Sequence, residues 1–168
     1  MKVLIISDIH GKLDNLQKVL SNNSFDLLLL LGDTLVGPFN QYKEVANLLN
    51  SYKDKIISVK GNCDNYYNGM LEYNNDETYL KVPIDEKVFF LTHGHIYNKY
   101  NLPTTYYDIF VQGHTHVPLL EKVNDKIYLN PGSISLPRSN SLPSYAIYED
   151  NKITILDINN NKIKEVNL

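Results

Sequence analysis

The chain holds one cysteine, Cys63, so no intrachain disulfide can form and the fold must rest on its apolar core. The same scarcity suits a reducing compartment, and a cytoplasmic location is expected. Arginine is equally scarce: Arg138 stands alone against fifteen lysines. Lysines and acids are interspersed, the formal net charge is -3, and there is no basic stripe; stable binding to a nucleic-acid backbone is not expected. Long hydrophobic runs are missing too. The longest internal one, Leu27 to Leu31, is far too short to cross a bilayer. The apolar start, Val3 to Ile6, runs straight into Asp8 and His10, as a first buried strand does and a targeting segment does not. Neither a leader nor a membrane partner is expected. What remains is ordinary for a globular protein: 168 residues, 43% hydrophobic and 21% charged, which predicts one domain spanning 1–168 around a single core.

Apolar runs at 2–7 and 26–31 and the segment 55–60 read as strands buried on both faces. Between them, Leu13, Leu16, Val19 and Leu20 recur at helical spacing, and residues 41–50 read as a second helix. Strand, loop and helix in repetition imply parallel strands joined by right-handed crossovers, with ligands gathered beyond the strands' carboxyl ends. From about residue 78 the pattern becomes short strands, at 78–82, 88–92, 109–112, 119–122, 126–129, 145–149, 152–157 and 162–166. Asn124-Asp125, Asp150-Asn151 and the stretch 159–161 read as hairpin turns. Residues 65–77, rich in Asn, Tyr and acids, read as an exposed loop or short helix.

All five histidines fall in three short clusters: His10 beside Asp8, His93 with His95, and His114 with His116. Each follows a predicted strand, as do Gly32-Asp33 and Gly61-Asn62. Together Asp8, His10, Asp33, Asn62, His93, His114 and His116 offer carboxylate, imidazole and amide donors without a thiolate, a set that suits borderline divalent cations. Seven donors exceed one tetrahedral ion but suit two ions sharing a carboxylate. Such pairs, roughly 3.5–4 Å apart, clamp the attacking and leaving oxygens of a phosphoryl displacement. Other readings exist for single residues. Asp8 and Asp33 could cap helices, Asn62 could occupy a left-handed turn, Cys63 could be a packed thiol, and Asp64 reads as a support for a ligand or as a cap.

The blocks Asp8-Ile9-His10-Gly11, Gly32-Asp33, Gly61-Asn62-Cys63-Asp64, His93-Gly94-His95 and Gly113-His114-Thr115-His116 resemble, in order and spacing, those of the calcineurin-like metallophosphoesterase family. The tail from Asn130 to Arg138 is similar to the family's small bacterial and archaeal phosphodiesterase branch. The resemblance implies an α/β fold, a four-layer α/β/β/α sandwich of two mixed β-sheets. It implies that Asp8, His10 and His116 bind one ion, that Asn62, His93 and His114 bind the other, and that Asp33 bridges them. The cofactors implied are two divalent metal ions, manganese first, with Ni²⁺, Co²⁺, Fe²⁺, Zn²⁺ or Mg²⁺ as other candidates. The activity implied is hydrolysis of a small phosphodiester by a hydroxide shared between the ions. A phosphomonoesterase acting on a small metabolite and a non-catalytic protein-binding scaffold of the same fold are the alternatives. Exposed sheet edges leave a homodimer open.

One departure bears on chemistry. Many phosphomonoesterases of the family carry histidine where this chain has Cys63, and a thiol is a weak hydrogen-bond donor with an ill-matched pKa. Poor leaving groups should suffer most. His95 is the candidate replacement acid or phosphate contact, so Asp33, Asn62, Cys63 and His95 form the candidate catalytic group. Arg138 could meet phosphate oxygens, though a loop clamp is the favoured reading; backbone N–H groups of Gly132 and Ser133 serve structure or substrate. Tyr66, Tyr67 and Tyr97 flank the site loops and could stack on an aryl or nucleoside group.

Overall fold

The computed structural model describes the backbone of residues 1–168 and every side chain except that of Asn68. The elements run β1 (Val3–Ile6), α1 (Leu13–Asn22), β2 (Leu27–Leu30), α2 (Tyr42–Asn50), β3 (Ile56–Ser58), β4 (Tyr79–Ile84), β5 (Lys87–Thr92), β6 (Ile109–Val111), β7 (Leu119–Val123), β8 (Lys126–Asn130), β9 (Ser144–Glu149), β10 (Lys152–Asp157) and β11 (Lys162–Asn167), with 3-10 turns at Lys53–Lys55 and Asn68–Met70. They form two mixed sheets, ordered β11-β10-β9-β1-β2-β3 and β4-β5-β6-β8-β7.

Alternation along the buried strands sorts their side chains into layers. Val3, Ile5, Leu29 and Leu31 of the first sheet face Phe89, Leu91, Ile109 and Val111 of the second, making the inter-sheet core. The intervening Leu4, Ile6, Leu28 and Leu30 face outward and are covered by Leu16, Val19 and Leu20 of α1 and Val45, Ala46 and Leu49 of α2. The strands looked continuously apolar because both faces are buried. Both helices lie on this side. The outer face of the second sheet, at Phe90 and Phe110, is covered by Tyr97 and Tyr107 from the connection between β5 and β6, so here the fourth layer is an irregular segment instead of a helix.

β1, β2 and β3 pair in parallel, as the helical crossovers require. The strand-rich second half divides. β9, β10 and β11 return to the first sheet, β9 lying antiparallel to β1 in the register Leu4 to Ile147, while β4 to β8 build the second. The three predicted hairpin turns are present between β7 and β8, β9 and β10, and β10 and β11. Asp150 and Asn151 both have positive φ, 52° and 56°, the conformation a tight two-residue hairpin demands. β4 runs on through Pro83, which a sheet-edge strand tolerates because the missing N–H faces outward.

Candidate metal centre

Five loops converge at one end of the molecule, each leaving the carboxyl end of a strand: Asp8 after β1, Asp33 after β2, Asn62 after β3, His93 after β5, and His114 with His116 after β6. Within the first sheet the loops continue the strand pairing. The His10 N–H donates to the Asp33 carbonyl at 2.9 Å and the Gly11 N–H to that of Thr34 at 3.0 Å. Across the sheets, the His114 N–H donates to Asp8 Oδ2 at 3.1 Å. The Asp64 carboxylate, buried, accepts from the N–H groups of Asp33 at 2.7 Å, Thr34 at 2.9 Å and Gly61 at 2.9 Å, binding the second and third loops into one unit. Burial raises its pKa, with those donors working the other way.

The donor residues sit at unusual backbone angles. Asp8, His10, Asp33, His114 and His116 all have positive φ, between 51° and 67°, a region that side-chain-bearing residues seldom occupy. The effect is to turn each side chain inward off the end of its strand. Neither aspartate caps a helix, since α1 begins after Lys12 and α2 after Gln41. Asn62 does not have a positive φ, so the left-handed-turn reading of that residue falls away.

Three imidazoles have their protons fixed by carbonyls, which can only accept. His10 Nδ1 donates to Val36 O at 2.8 Å, His93 Nδ1 to Leu31 O at 2.6 Å, and His116 Nδ1 to Leu136 O at 2.6 Å. In the neutral ring this leaves Nε2 a bare lone pair. Those lone pairs point at one another, at amide and carboxylate oxygens, and at His114 Nδ1, whose role its tautomer sets. The Nε2 atoms of His10 and His116 are 3.3 Å apart. His93 Nε2 lies 3.1 Å from Asn62 Oδ1, 3.2 Å from His114 Nδ1 and 3.4 Å from Asp33 Oδ2. Asp8 Oδ1 is buried with no hydrogen-bond partner, 3.3 Å from His116 Nε2. Acceptors crowded this way repel unless a cation lies among them, and burying an unpartnered carboxylate oxygen is costly. Asp8, His10 and His116 bring one donor atom each within 4.8 Å of one another, as do Asp8, Asp33 and His93. The oxygen and nitrogen donor set and the orphaned Asp8 oxygen therefore fit divalent cations.

Protonation follows the same field. Burial opposes charge on Asp33, yet the His93 imidazole and the Cys63 N–H, 2.9 Å from Oδ1, hold its carboxyl well below the usual range. Burial pulls the pKa values of His93 and His116 down, but Asp33 and Asp8 beside them raise both overall. His114 and His95 are lowered, by burial and by neighbouring His93. The Cys63 thiol is pushed up to about 12 by burial and by Asp33. It is therefore a protonated thiol, and its sulfur accepts a bond from Asn62 Nδ2 at 3.3 Å.

At the rim, His95 is exposed, its ring 5.5 Å from that of His93 and 6.3 Å from that of His114. Arg138 is exposed, and its guanidinium makes no hydrogen bond or ion pair among the described residues, so the loop-clamp reading finds nothing clamped. Its backbone ties the loop instead, N–H to His116 O at 3.3 Å. Tyr67 stacks on Tyr42 at 4.1 Å and Tyr97 packs edge-on against Phe90, whereas Tyr66 is exposed. The carbonyls of Leu31, Val36 and Leu136 could not be found by reading side chains, because any residue supplies a carbonyl.

The family model for the calcineurin-like phosphoesterase superfamily domain matches residues 1–152. Phosphodiesterase YfcE of Escherichia coli strain K12 is 34% identical over 97% of this chain and 95% of its own length. Phosphodiesterase MJ0936 of Methanocaldococcus jannaschii is 31% identical over 79% of this chain and 83% of its own. The solved structure of YfcE, a phosphoesterase from E. coli, aligns with a TM-score of 0.92 at 31% identity, covering 99% of this chain and 98% of that one.

Proposed function

Since the chain belongs to the calcineurin-like phosphoesterase superfamily, we propose that it is a dinuclear metal-dependent phosphodiesterase acting on a small phosphodiester. Asp8, His10 and His116 would hold one cation, Asn62, His93 and His114 the other, and Asp33 would be shared between them, with Mn²⁺ the first candidate. The observation that carries this reading is the convergence of three carbonyl-fixed imidazoles, bare at Nε2, on the space shared by Asp33 and the partnerless Asp8 oxygen. The two names carrying "phosphodiesterase" among the relatives support the substrate class. Two divalent ions held there supply Lewis acidity, neutralising phosphoryl oxygens and making water nucleophilic near neutral pH.

The chain's own residues do the rest. Asp33 stays ionised because the Cys63 N–H, 2.9 Å from Oδ1, favours its charge, so it could serve both subsites at once. Cys63 Sγ accepts from Asn62 Nδ2 and turns Oδ1 towards His93. A thiol with its pKa near 12 is neither a thiolate nucleophile nor a good proton donor. His95, with a lowered pKa, offers a neutral ring that donates one hydrogen bond to a phosphoryl oxygen. With no strong acid at the leaving group, activated aryl esters should react well and alkyl phosphomonoesters poorly.

Purified protein with Mn²⁺ is expected to hydrolyse bis-(p-nitrophenyl) phosphate, and EDTA to abolish the activity. No turnover with Mn²⁺, Ni²⁺, Co²⁺, Zn²⁺ or Mg²⁺ would favour a scaffold, although a scaffold has no use for imidazoles preset as ligands. Cys63→His is expected to raise phosphomonoester hydrolysis relative to diester, by about 10-fold or more if the new imidazole protonates the leaving group. Kinetics on p-nitrophenyl phosphate and its bis ester give the ratio, and an unchanged ratio removes the role assigned to this position.

A further inference from the structure

We propose that Ser133, on the strap between β8 and β9, is a positioning residue for one of the two metal subsites, that of Asp8, His10 and His116; the inference rests on the dinuclear reading above. Ser133 is fully buried, and its hydroxyl hydrogen-bonds main-chain groups and no candidate ligand's donor atom among the described residues. Its hydroxyl has one proton to give and two lone pairs to receive, and all three are used. The proton goes to the main-chain carbonyl of Asp8, at 2.7 Å. The lone pairs accept from the N–H of Ser135 at 3.1 Å and of Leu136 at 2.8 Å.

Both ends of this network reach the same subsite. At one end, the carbonyl belongs to a ligand held at φ 56°, an angle the backbone does not keep without outside constraint. At the other, Leu136 supplies the carbonyl that takes the His116 Nδ1 proton and so aims Nε2 inward. Pro137 follows Leu136 and narrows its backbone freedom. One hydroxyl thus joins the strained aspartate to the residue that sets the tautomer of the histidine 3.3 Å from it. The other subsite is reached only one step further on, where Asp8 Oδ2 accepts the main-chain N–H of His114 at 3.1 Å and leaves that imidazole unset. His93 is oriented by Leu31, and Asn62 by Cys63.

The prediction is therefore asymmetric. Manganese titration of the apoprotein by calorimetry should show two binding events in the wild type. In Ser133→Ala one of them should weaken by about 10–100-fold, the usual effect of losing a group that orients a ligand, while the other holds within about threefold. Ser144→Ala is the control. It removes another fully buried hydroxyl, at the start of β9, one that donates to the Pro131 carbonyl of the same strap at 2.7 Å, and both affinities should persist. Equal weakening of both events in Ser133→Ala, the same asymmetry in Ser144→Ala, or no change in Ser133→Ala overturns the proposal. Wild-type protein that binds no metal refutes the dinuclear reading itself, a separate failure. A second measurement needs no variant: long-range ¹⁵N spectra of the wild-type apoprotein should place the neutral His116 proton on Nδ1, and a proton on Nε2 overturns the proposal too.

Discussion

Asp33→Ala is expected to lower diesterase activity by at least about 10³-fold, more than removal of a single transition-state donor typically costs. The carboxylate lies within 3.4 Å of His93 and 3.8 Å of His10, one imidazole from each proposed subsite. Its loss should take bound metal well below two per chain by elemental analysis, and metal that stays near two would refute the bridging assignment. The variant should also change the acid side of the apoprotein's stability curve. Because the folded state holds the Asp33 carboxyl below its unfolded value of about 3.9, its contribution is complete above that pH and fades as pH falls towards the folded value. Urea unfolding of the apoprotein from pH 6 down to 3 should thus be less pH-dependent in the alanine variant than in the wild type.

Gly32→Ala is expected to be strongly damaging although it lies outside the donor set. Gly32 has φ +89°, and a Cβ there would stand 2.5 Å from Gly61 N, 2.7 Å from Gly61 Cα and 2.9 Å from His93 Nδ1. Two of those neighbours are backbone and the third is an imidazole pinned at 2.6 Å to Leu31 O, so none can yield cheaply. Left-handed strain of about 1–2 kcal/mol adds to overpacking of about 1–3 kcal/mol, giving a loss of roughly 2–5 kcal/mol. For a chain of this size that corresponds to a fall of roughly 4–20 °C in Tm, measurable by calorimetry of the apoprotein. The loops carrying Asp33, Asn62 and His93 move apart at the same point, so metal affinity should fall with it. A variant as stable as the wild type would mean that the two loops are not packed as described.

The candidate donor set was legible because its chemistry is written in side chains. Histidine occurs nowhere else in the chain, and each cluster follows an apolar run whose end can be seen. The two amphipathic helices were equally plain, since Leu16, Val19 and Leu20, and then Val45 and Leu49, mark the 3.6-residue repeat. Other features depend on partners distant in sequence. That β9 lies against β1 is decided by burial of Ala146 and Tyr148 in the inter-sheet core, and local pattern gives no clue to it. The covering of Phe90 and Phe110 by tyrosines in place of a helix depends on how the irregular connection folds back. Main-chain acceptors such as Leu136 O are invisible for the same reason, and so is the fact that the Arg138 guanidinium meets no carbonyl or carboxylate among the described residues.

The left-handed angles at Asp8, His10, Asp33, His114 and His116 have an evolutionary consequence. Glycine holds such angles without the penalty of roughly 1–2 kcal/mol that a side chain brings. A lineage released from hydrolysis could therefore exchange one of these residues for glycine and recover that backbone penalty as it lost metal. The recovery offsets part of what the lost side chain contributed to the fold. Five intact side chains at five such angles mean that this chain still carries the full penalty.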